Sequence, residues 1–331
     1  MTQTPLYPLR FDPIFQSRLW GGRRLGDWLA TALPGSGPIG EAWILSDRDA
    51  FPSRVAAGPL AGATIAELIA HSAESILGEL ASRFDRFPLL LKFLDVERML
   101  SVQVHPQDGQ TALIPAGEAG KTEAWVVLAA EASGRIYAGL QPGSTAADLR
   151  ALSVQTVARH LAGFQAETGQ AVLIEAGTVH AVGGGVVLFE VQQNSDVTFR
   201  LYDWDHIDPA TGHGRPLQVN EALACVAWGQ GPVRPTVPVI ESREPAIRER
   251  LIVCAHFVMW RLHGAAPFRV GVDGLPRILV CIAGRGAIDH GGARHALGRG
   301  AVMLLPASVG ACRFRPDGPT TLLEIGVAVP P

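Results

Sequence analysis

Apolar residues along this chain come in short bursts separated by turn signals, and only a few stretches run at helical spacing. The clearest helical stretch is TIAELIAHSAESILGEL (64–80), where Ile65, Leu68, Ile69, Ile76, Leu77 and Leu80 mark one face. Thr64 followed by Glu67 has the form of a capping box, so the helix is expected to start there. FPLLLKFLDV (87–96) is an apolar run of strand length, interrupted by Lys92. SVQVH (101–105) alternates: Val102 and Val104 take one face, Ser101, Gln103 and His105 the other, and Pro106 stops the run. KTEAWVVLAA (121–130) predicts another strand, with Lys121, Glu123 and Trp125 on one side. Residues 145–164 predict one or two helices. From 171 to 204 the chain reads as short strands with closely spaced turn signals, the pattern of a sandwich or barrel. VNEALACVAW (219–228) predicts a short helix with Asn220 as its N-cap.

GQGPVRPTVPVIESREP (229–245) holds four prolines and no apolar periodicity, which predicts a linker. After it come FVMWRLHG, RILVCIAGRGAIDHGG, ARHALGRGAVMLLPASVG and TTLLEIGVAV, again short strands, expected to form a second small β-barrel. A length of 331 residues suits about two domains. The expected fold is mainly β with a helical insertion (α+β). Its expected parts are a catalytic domain over 1–235 with helical segments near 64–80 and 145–164, a linker at 236–249, and a barrel over 250–331. The two β units are similar enough in style to suggest duplication.

Composition narrows the class. Apolar residues make up 47% and charged residues 18%, enough for a buried core and unlike a disordered chain. The formal net charge is −3 with no basic run, so no nucleic-acid partner is expected. The opening MTQTPLYPLRF has no apolar signal core, and no later window is long and apolar enough to span a bilayer. The expected place is the cytoplasm, with no membrane association. Cys225, Cys254, Cys281 and Cys312 form no CxxC pair and are expected to be reduced, buried and without functional role. The sequence carries no signal for an oligomeric state.

The candidate chemistry lies in the polar faces of the strands. Gln103 and His105 share one face, Glu123 lies on a second strand, and His180 in AGTVHAVGGG sits at the end of a third, before a glycine turn. Two imidazoles, a carboxylate and an amide oxygen form a donor set that suits Zn2+ or another divalent first-row metal, with room for water or substrate. Each residue taken singly has a plainer reading. A lone histidine is more often a surface or satisfied core residue, Glu123 a solvated rim residue, and Lys92 and Lys121 solvent-facing or ion-paired. In QQNSDVTFRLYDW (192–204), Thr198, Arg200 and Tyr202 alternate with Val197, Phe199 and Leu201. Inside a barrel that face is the lumen, and an arginine there suits an anion such as phosphate. The plainer reading pairs Arg200 with Asp196 or Asp203.

Taken together, PIFQSRLWGG, IGEAWILSD, FPLLLKFLD, SVQVHP, GKTEAW, IYAGLQPG, IEAGTVHAVGGG and QQNSDVTFRLYDW resemble the signature segments of type I mannose-6-phosphate (phosphomannose) isomerases in their short bacterial form. The resemblance covers about residues 6–228 in the expected order; beyond about 250 it is one of style. It implies a cupin (jelly-roll) catalytic domain with a helical insertion, a second cupin domain, and one Zn2+ per chain. It further implies interconversion of mannose 6-phosphate and fructose 6-phosphate. The implied metal ligands are Gln103, His105, Glu123 and His180. The implied catalytic residues are Arg200 and Lys121, with Ser101, Lys92, Lys121 and Arg200 binding substrate. A cis-enediol proton transfer is the favoured route and a metal-assisted hydride shift its competitor. The residues leave open an isomerase for another 6-phosphosugar, a non-catalytic sugar-phosphate-binding cupin, or a cupin of another reaction class such as an iron oxygenase. The chain departs from the family at Gln107-Asp108, after the His-Pro, where two acidic residues are frequent. His290 and His295 lack a metal-ligand spacing, so the second barrel is expected to be structural.

Overall fold

The structure is a computed structural model and describes residues 5–328. Residues 1–4, where the stretch read for a targeting signal begins, and 329–331 lie outside the described residues. The first part of the chain carries β1 (Ile14–Gln16), β2 (Glu41–Leu45), β3 (Leu89–Val96), β4 (Val102–Val104), β5 (Glu123–Ala130), β6 (Arg135–Leu140), β7 (Leu161–Gln165), β8 (Ala171–Ile174), β9 (His180–Gly183), β10 (Val186–Gln193) and β11 (Phe199–Tyr202). They form two antiparallel sheets, ordered β1-β2-β3-β10-β5-β8 and β11-β4-β9-β6-β7.

Side-chain alternation sets up the site. Along β3, β5 and β10, one face carries Leu89, Leu91, Phe93, Ala124, Val126, Val187, Phe189 and Val191 into a large apolar core. The opposite face carries Leu94, Trp125, Val127 and Leu188 into a second core between the two sheets. Lys92, Glu123, Glu190 and Gln192 share the parity of that second face, so they point between the sheets. On β4, Val102 and Val104 pack outward against a third cluster that includes Leu149, Val157, Ala222 and Leu223. Ser101, Gln103 and His105 therefore turn inward, as the alternation predicts.

The helix α1 (Leu25–Leu29) is followed by α2 (Ile65–Leu77), which begins at Thr64 with a reciprocal capping box to Glu67 and ends in a 3-10 turn, Gly78–Leu80. Its apolar stripe of Ile65, Leu68, Ile69, Ile76 and Leu77 joins the large core. The expected helices at 145–164 are shorter: α3 (Ala146–Arg150) and α4 (Val157–His160). Leu161–Gln165 instead form β7, because pairing with β6 (Ile136 opposite Phe164) overrides local helical pattern. In α5 (Val219–Cys225) the residue before the first turn is Gln218, so Asn220 lies inside the helix and does not cap it. The Gln218 side chain accepts the Arg200 backbone N–H instead, at 3.2 Å.

The second part carries β12 (Val239–Ser242), β13 (Ile247–Val253), β14 (Phe257–Gly264), β15 (Phe268–Val270), β16 (Arg277–Ala283), β17 (Arg285–His290), β18 (Ala293–Gly298), β19 (Val302–Leu305), β20 (Cys312–Pro316) and β21 (Thr320–Val327). Its sheets are ordered β12-β13-β14-β21-β16-β19 and β15-β20-β17-β18. The expected linker at 236–249 is thus partly strand: β12 forms the sheet edge, and β13 begins at Ile247. The large core contains Phe257, Met259, Ile278, Leu304 and Ile325 together with residues of β3 and α2, so the two six-stranded sheets share one apolar layer. All four cysteines are free; Cys225 and Cys281 are buried, whereas Cys254 and Cys312 are only half-buried. No helix among the described residues is long and apolar enough to cross a membrane.

Candidate metal centre and its cavity

Three strands of the five-stranded sheet place Arg200, Gln103 and His180 in a row, with Gln103 opposite Arg200 on one side and His180 on the other. His180 therefore begins β9; it does not end a strand. His105 lies just past β4, and Glu123 opens β5 on the facing sheet. His105, Glu123 and His180 are all buried, and one ligand atom from each lies within 4.8 Å of the others. His180 Nε2 is 3.3 Å from Glu123 Oε1, and His105 Nε2 is 3.5 Å from Glu123 Oε2.

The second ring nitrogens fix the tautomers. Nδ1–H of His105 donates to the Val197 carbonyl at 2.8 Å, and Nδ1–H of His180 donates to the Thr178 carbonyl at 2.9 Å. Each Nε2 then presents a lone pair towards Glu123, the outer-shell arrangement of metal-bound imidazoles. Both Glu123 oxygens are buried without a hydrogen bond, although the Lys121 ammonium stands 2.9 Å from Oε2. That ion pair offsets charge but leaves acceptor capacity unused, which fits a cation at this point.

The electrostatics agree. Burial, reinforced by the Lys121 ammonium, pushes His105 down to about 3. Burial also lowers His180. Both imidazoles are thus neutral at pH 7, the form that ligates metals. Burial by itself would raise Glu123, but the Lys121 ammonium holds it well below the usual carboxylate range. Lys121 Nζ also lies 3.3 Å from His105 Nε2.

A cavity of about 530 Å3 opens beside this group, lined by Lys92, Ser101, Gln103, Lys121, Arg200 and several residues that the strand patterns did not single out. A larger cavity of about 720 Å3 lies elsewhere, around Arg48, Arg86 and His256, and neither His105 nor His180 lines it. Ser101 Oγ donates to Gln103 Oε1 at 3.1 Å, and Gln103 Nε2 is 3.2 Å from His180 Nε2. Lys92 is 3.4 Å from Glu190 and 4.9 Å from the Trp43 ring centroid. Arg200 has no ion-pair partner among the described residues, and its Nε is buried without a hydrogen bond. Burial lowers its pKa. Asp203 is taken by Arg215 at 2.8 Å, which removes one acid proposed as a partner for Arg200.

Thr198 lines the cavity as its alternation predicts. Tyr202 does not. A bulge between Arg200 and Tyr202 shifts the register. Tyr202 packs with Val102 and Leu201, and its hydroxyl donates to Asp205 at 2.9 Å. Residues missed in the sequence include Glu190, Glu41, Arg18 and Arg215, all on the cavity wall. Glu190 carried a usable signal: an acid inside the apolar run VVLFEVQQ matches the lysine inside LLLKFLDV.

Fold and site together define an antiparallel β protein with a buried His/Glu/His group that can hold a metal ion, next to a cation-rich cavity. Residues 9–124 match the family model for the catalytic domain of type I phosphomannose isomerase. The chain is 35% identical over 322 residues to mannose-6-phosphate isomerase ManA of Bacillus subtilis, covering 96% of this chain and 97% of that protein. It is 31% identical to the mannose-6-phosphate isomerase of Streptococcus mutans, covering 94% and 96%. The crystal structure of the B. subtilis mannose 6-phosphate isomerase superposes with a TM-score of 0.86 at 28% identity, covering 96% of this chain and 99% of that one. The chain belongs to the type I phosphomannose isomerase family of enzymes.

Proposed function

We propose that this protein interconverts D-mannose 6-phosphate and D-fructose 6-phosphate, with one Zn2+ held by Gln103, His105, Glu123 and His180. The observation that carries the reading is the convergence of two imidazole Nε2 lone pairs and the Glu123 carboxylate, buried together within 4.8 Å. Turning over the Gln103 amide puts Oε1 where Nε2 now faces His180, which supplies the fourth donor. The nitrogen and oxygen donors without a thiolate suit an open catalytic zinc site. When bound, such an ion acts as a Lewis acid on the sugar oxygens at C1 and C2.

The residues of the chain then divide the work. Arg200 is one strand from Gln103 and has no ion-pair partner among the described residues, so it stabilises negative charge developing on the reacting oxygens. Lys121 sits against Glu123 and His105, which supports a place at the reacting end. Ser101 orients Gln103 and faces the substrate. Lys92 stands opposite Glu190, two residues along β10 from the Glu123–Gln192 pair, roughly 7 Å away on strand geometry, which suits the phosphate end. Hydrogen moves between C2 and C1 through a cis-enediol, by proton removal from one carbon and return to the other.

The same reading makes residues 1–235 a catalytic cupin barrel and the sheets from β12 onwards a second jelly roll, in a cytoplasmic enzyme. The matching strand order of the two halves supports it. A coupled assay for fructose 6-phosphate from mannose 6-phosphate tests the activity. Turnover of mannose 6-phosphate well above that of other aldose 6-phosphates is expected; a preference for another 6-phosphosugar would overturn the substrate assignment.

A further inference from the structure

The six-stranded sheet of the second half repeats that of the first strand for strand, β12-β13-β14-β21-β16-β19 matching β1-β2-β3-β10-β5-β8, whereas β11 has no counterpart among the described residues. In that correspondence β21 takes the place of β10, and Glu324 stands opposite Trp260 as Glu190 stands opposite Lys92. Glu324 is 2% exposed. It accepts Arg248 Nη1 at 2.8 Å and the Gly271 N–H at 3.0 Å, and Arg277 Nε lies 3.7 Å away. The two guanidinium carbons lie 4.5 and 5.7 Å from the Trp260 ring centroid. Gly326 leaves room for Arg277, since a Cβ there would sit 2.9 Å from its Cζ.

These groups border a cavity of about 370 Å3, with Arg269, Leu262 and Phe268 on its wall, and it shares no residue with the first. Donors exceed acceptors inside it. One buried carboxylate serves two guanidiniums. Outside, Arg248 lies 3.4 Å from Glu241, and Arg269 lies 3.6 Å from the exposed Asp273. Trp260 Nε1 is buried without a hydrogen-bond partner. Two guanidinium forks on one cavity wall suit an oxyanion, and the apolar wall suits an organic body. We infer that the lumen of the second half binds a small organic phosphate monoester, with Arg277 and Arg248 facing the phosphate and the Trp260 ring on the cavity wall beside them. This goes beyond the isomerase reading and does not depend on it.

The test uses the full chain labelled with 5-fluorotryptophan, the Trp260 fluorine resonance being assigned from Trp260→Phe. Fructose 6-phosphate and inorganic phosphate are titrated separately at constant ionic strength. The Trp260 resonance should move saturably with fructose 6-phosphate, with a midpoint of roughly millimolar or tighter, and more weakly with phosphate alone. Arg277→Gln should weaken the response by about 10-fold or more. Arg269→Gln, at an exposed position with little risk to folding, should weaken it a few-fold. Equal midpoints for the two probes would overturn the organic part of the assignment. No saturable movement up to ~20 mM, a range that reaches even weak sites, or a response unchanged in both variants, would overturn the site.

Discussion

Lys92 Nζ lies 3.4 Å from Glu190 Oε1 across β3 and β10, and each side chain is only 4% exposed. Trp125 Nε1 donates to the other Glu190 oxygen at 2.9 Å, so the pair is tied into the inter-sheet core. Removing one member leaves an uncompensated buried charge. Lys92→Met should therefore lose about 3–5 kcal/mol of stability. Lys92→Met with Glu190→Gln should lose less than the sum of the single changes. Chemical denaturation of the four proteins gives the cycle; strict additivity would show that the two side chains do not act as a pair.

Glu41 gives a pH prediction. Burial opposes its ionisation, but Lys92, Arg18 and the Trp43 N–H outweigh burial and hold it down to about 2 from an ordinary 4.5. A depressed carboxyl contributes stability that is full above the unfolded value and is lost as pH falls. The window here is pH 4.5 down to 2, worth roughly 3 kcal/mol. Glu41→Gln should lower stability at pH 7 and flatten the acid limb over that window. An acid limb as steep as that of the wild type would assign acid sensitivity elsewhere.

Asp108, next to Gln107 in the loop after His105-Pro106, has a structural task. Its Oδ1 accepts the Gly120 N–H at 2.7 Å, and its carboxylate also takes Gln193 Nε2 at 3.1 and 3.2 Å. Gln193 Oε1 in turn accepts the Thr122 N–H at 2.8 Å. The segment carrying Lys121 is thus held from both sides. Asp108→Ala should reduce kcat by roughly 10-fold while leaving bound metal unchanged, the scale expected when a reacting group is misplaced. Unaltered kcat would confine Asp108 to the surface.

Arg200→Ala should keep metal content and lose about 100-fold in turnover, the scale of deleting one preorganised oxyanion donor. Metal analysis beside steady-state kinetics separates this from a folding defect. Loss of metal with loss of activity would place Arg200 in the metal group's support instead.

Much of the site was legible because alternation needs only local sequence. Val102 and Val104 sit against helices, so Ser101, Gln103 and His105 had to point the other way. The charged partners were not legible in the same manner. Which acid meets Lys92 depends on the register of β10 against β3, residues almost a hundred positions apart. The bulge after Arg200 broke the alternation that placed Tyr202 in the lumen. Residues 161–165 have helical local character, yet the edge of β6 takes them as a strand. The proline-rich stretch before β13 hid β12, because an exposed edge strand has no apolar face to announce it.

Isomerisation is expected to depend on a metal ion held by His105, Glu123 and His180. The most direct measurement is the coupled mannose 6-phosphate assay on the purified chain, chelated and then reloaded with Zn2+, with His180→Ala alongside and metal content measured in each sample. Activity should vanish on chelation, return with about one Zn2+ per chain, and be absent in His180→Ala, which should bind little metal. Full activity in a chelated sample free of metal would show that isomerisation needs no metal at this site.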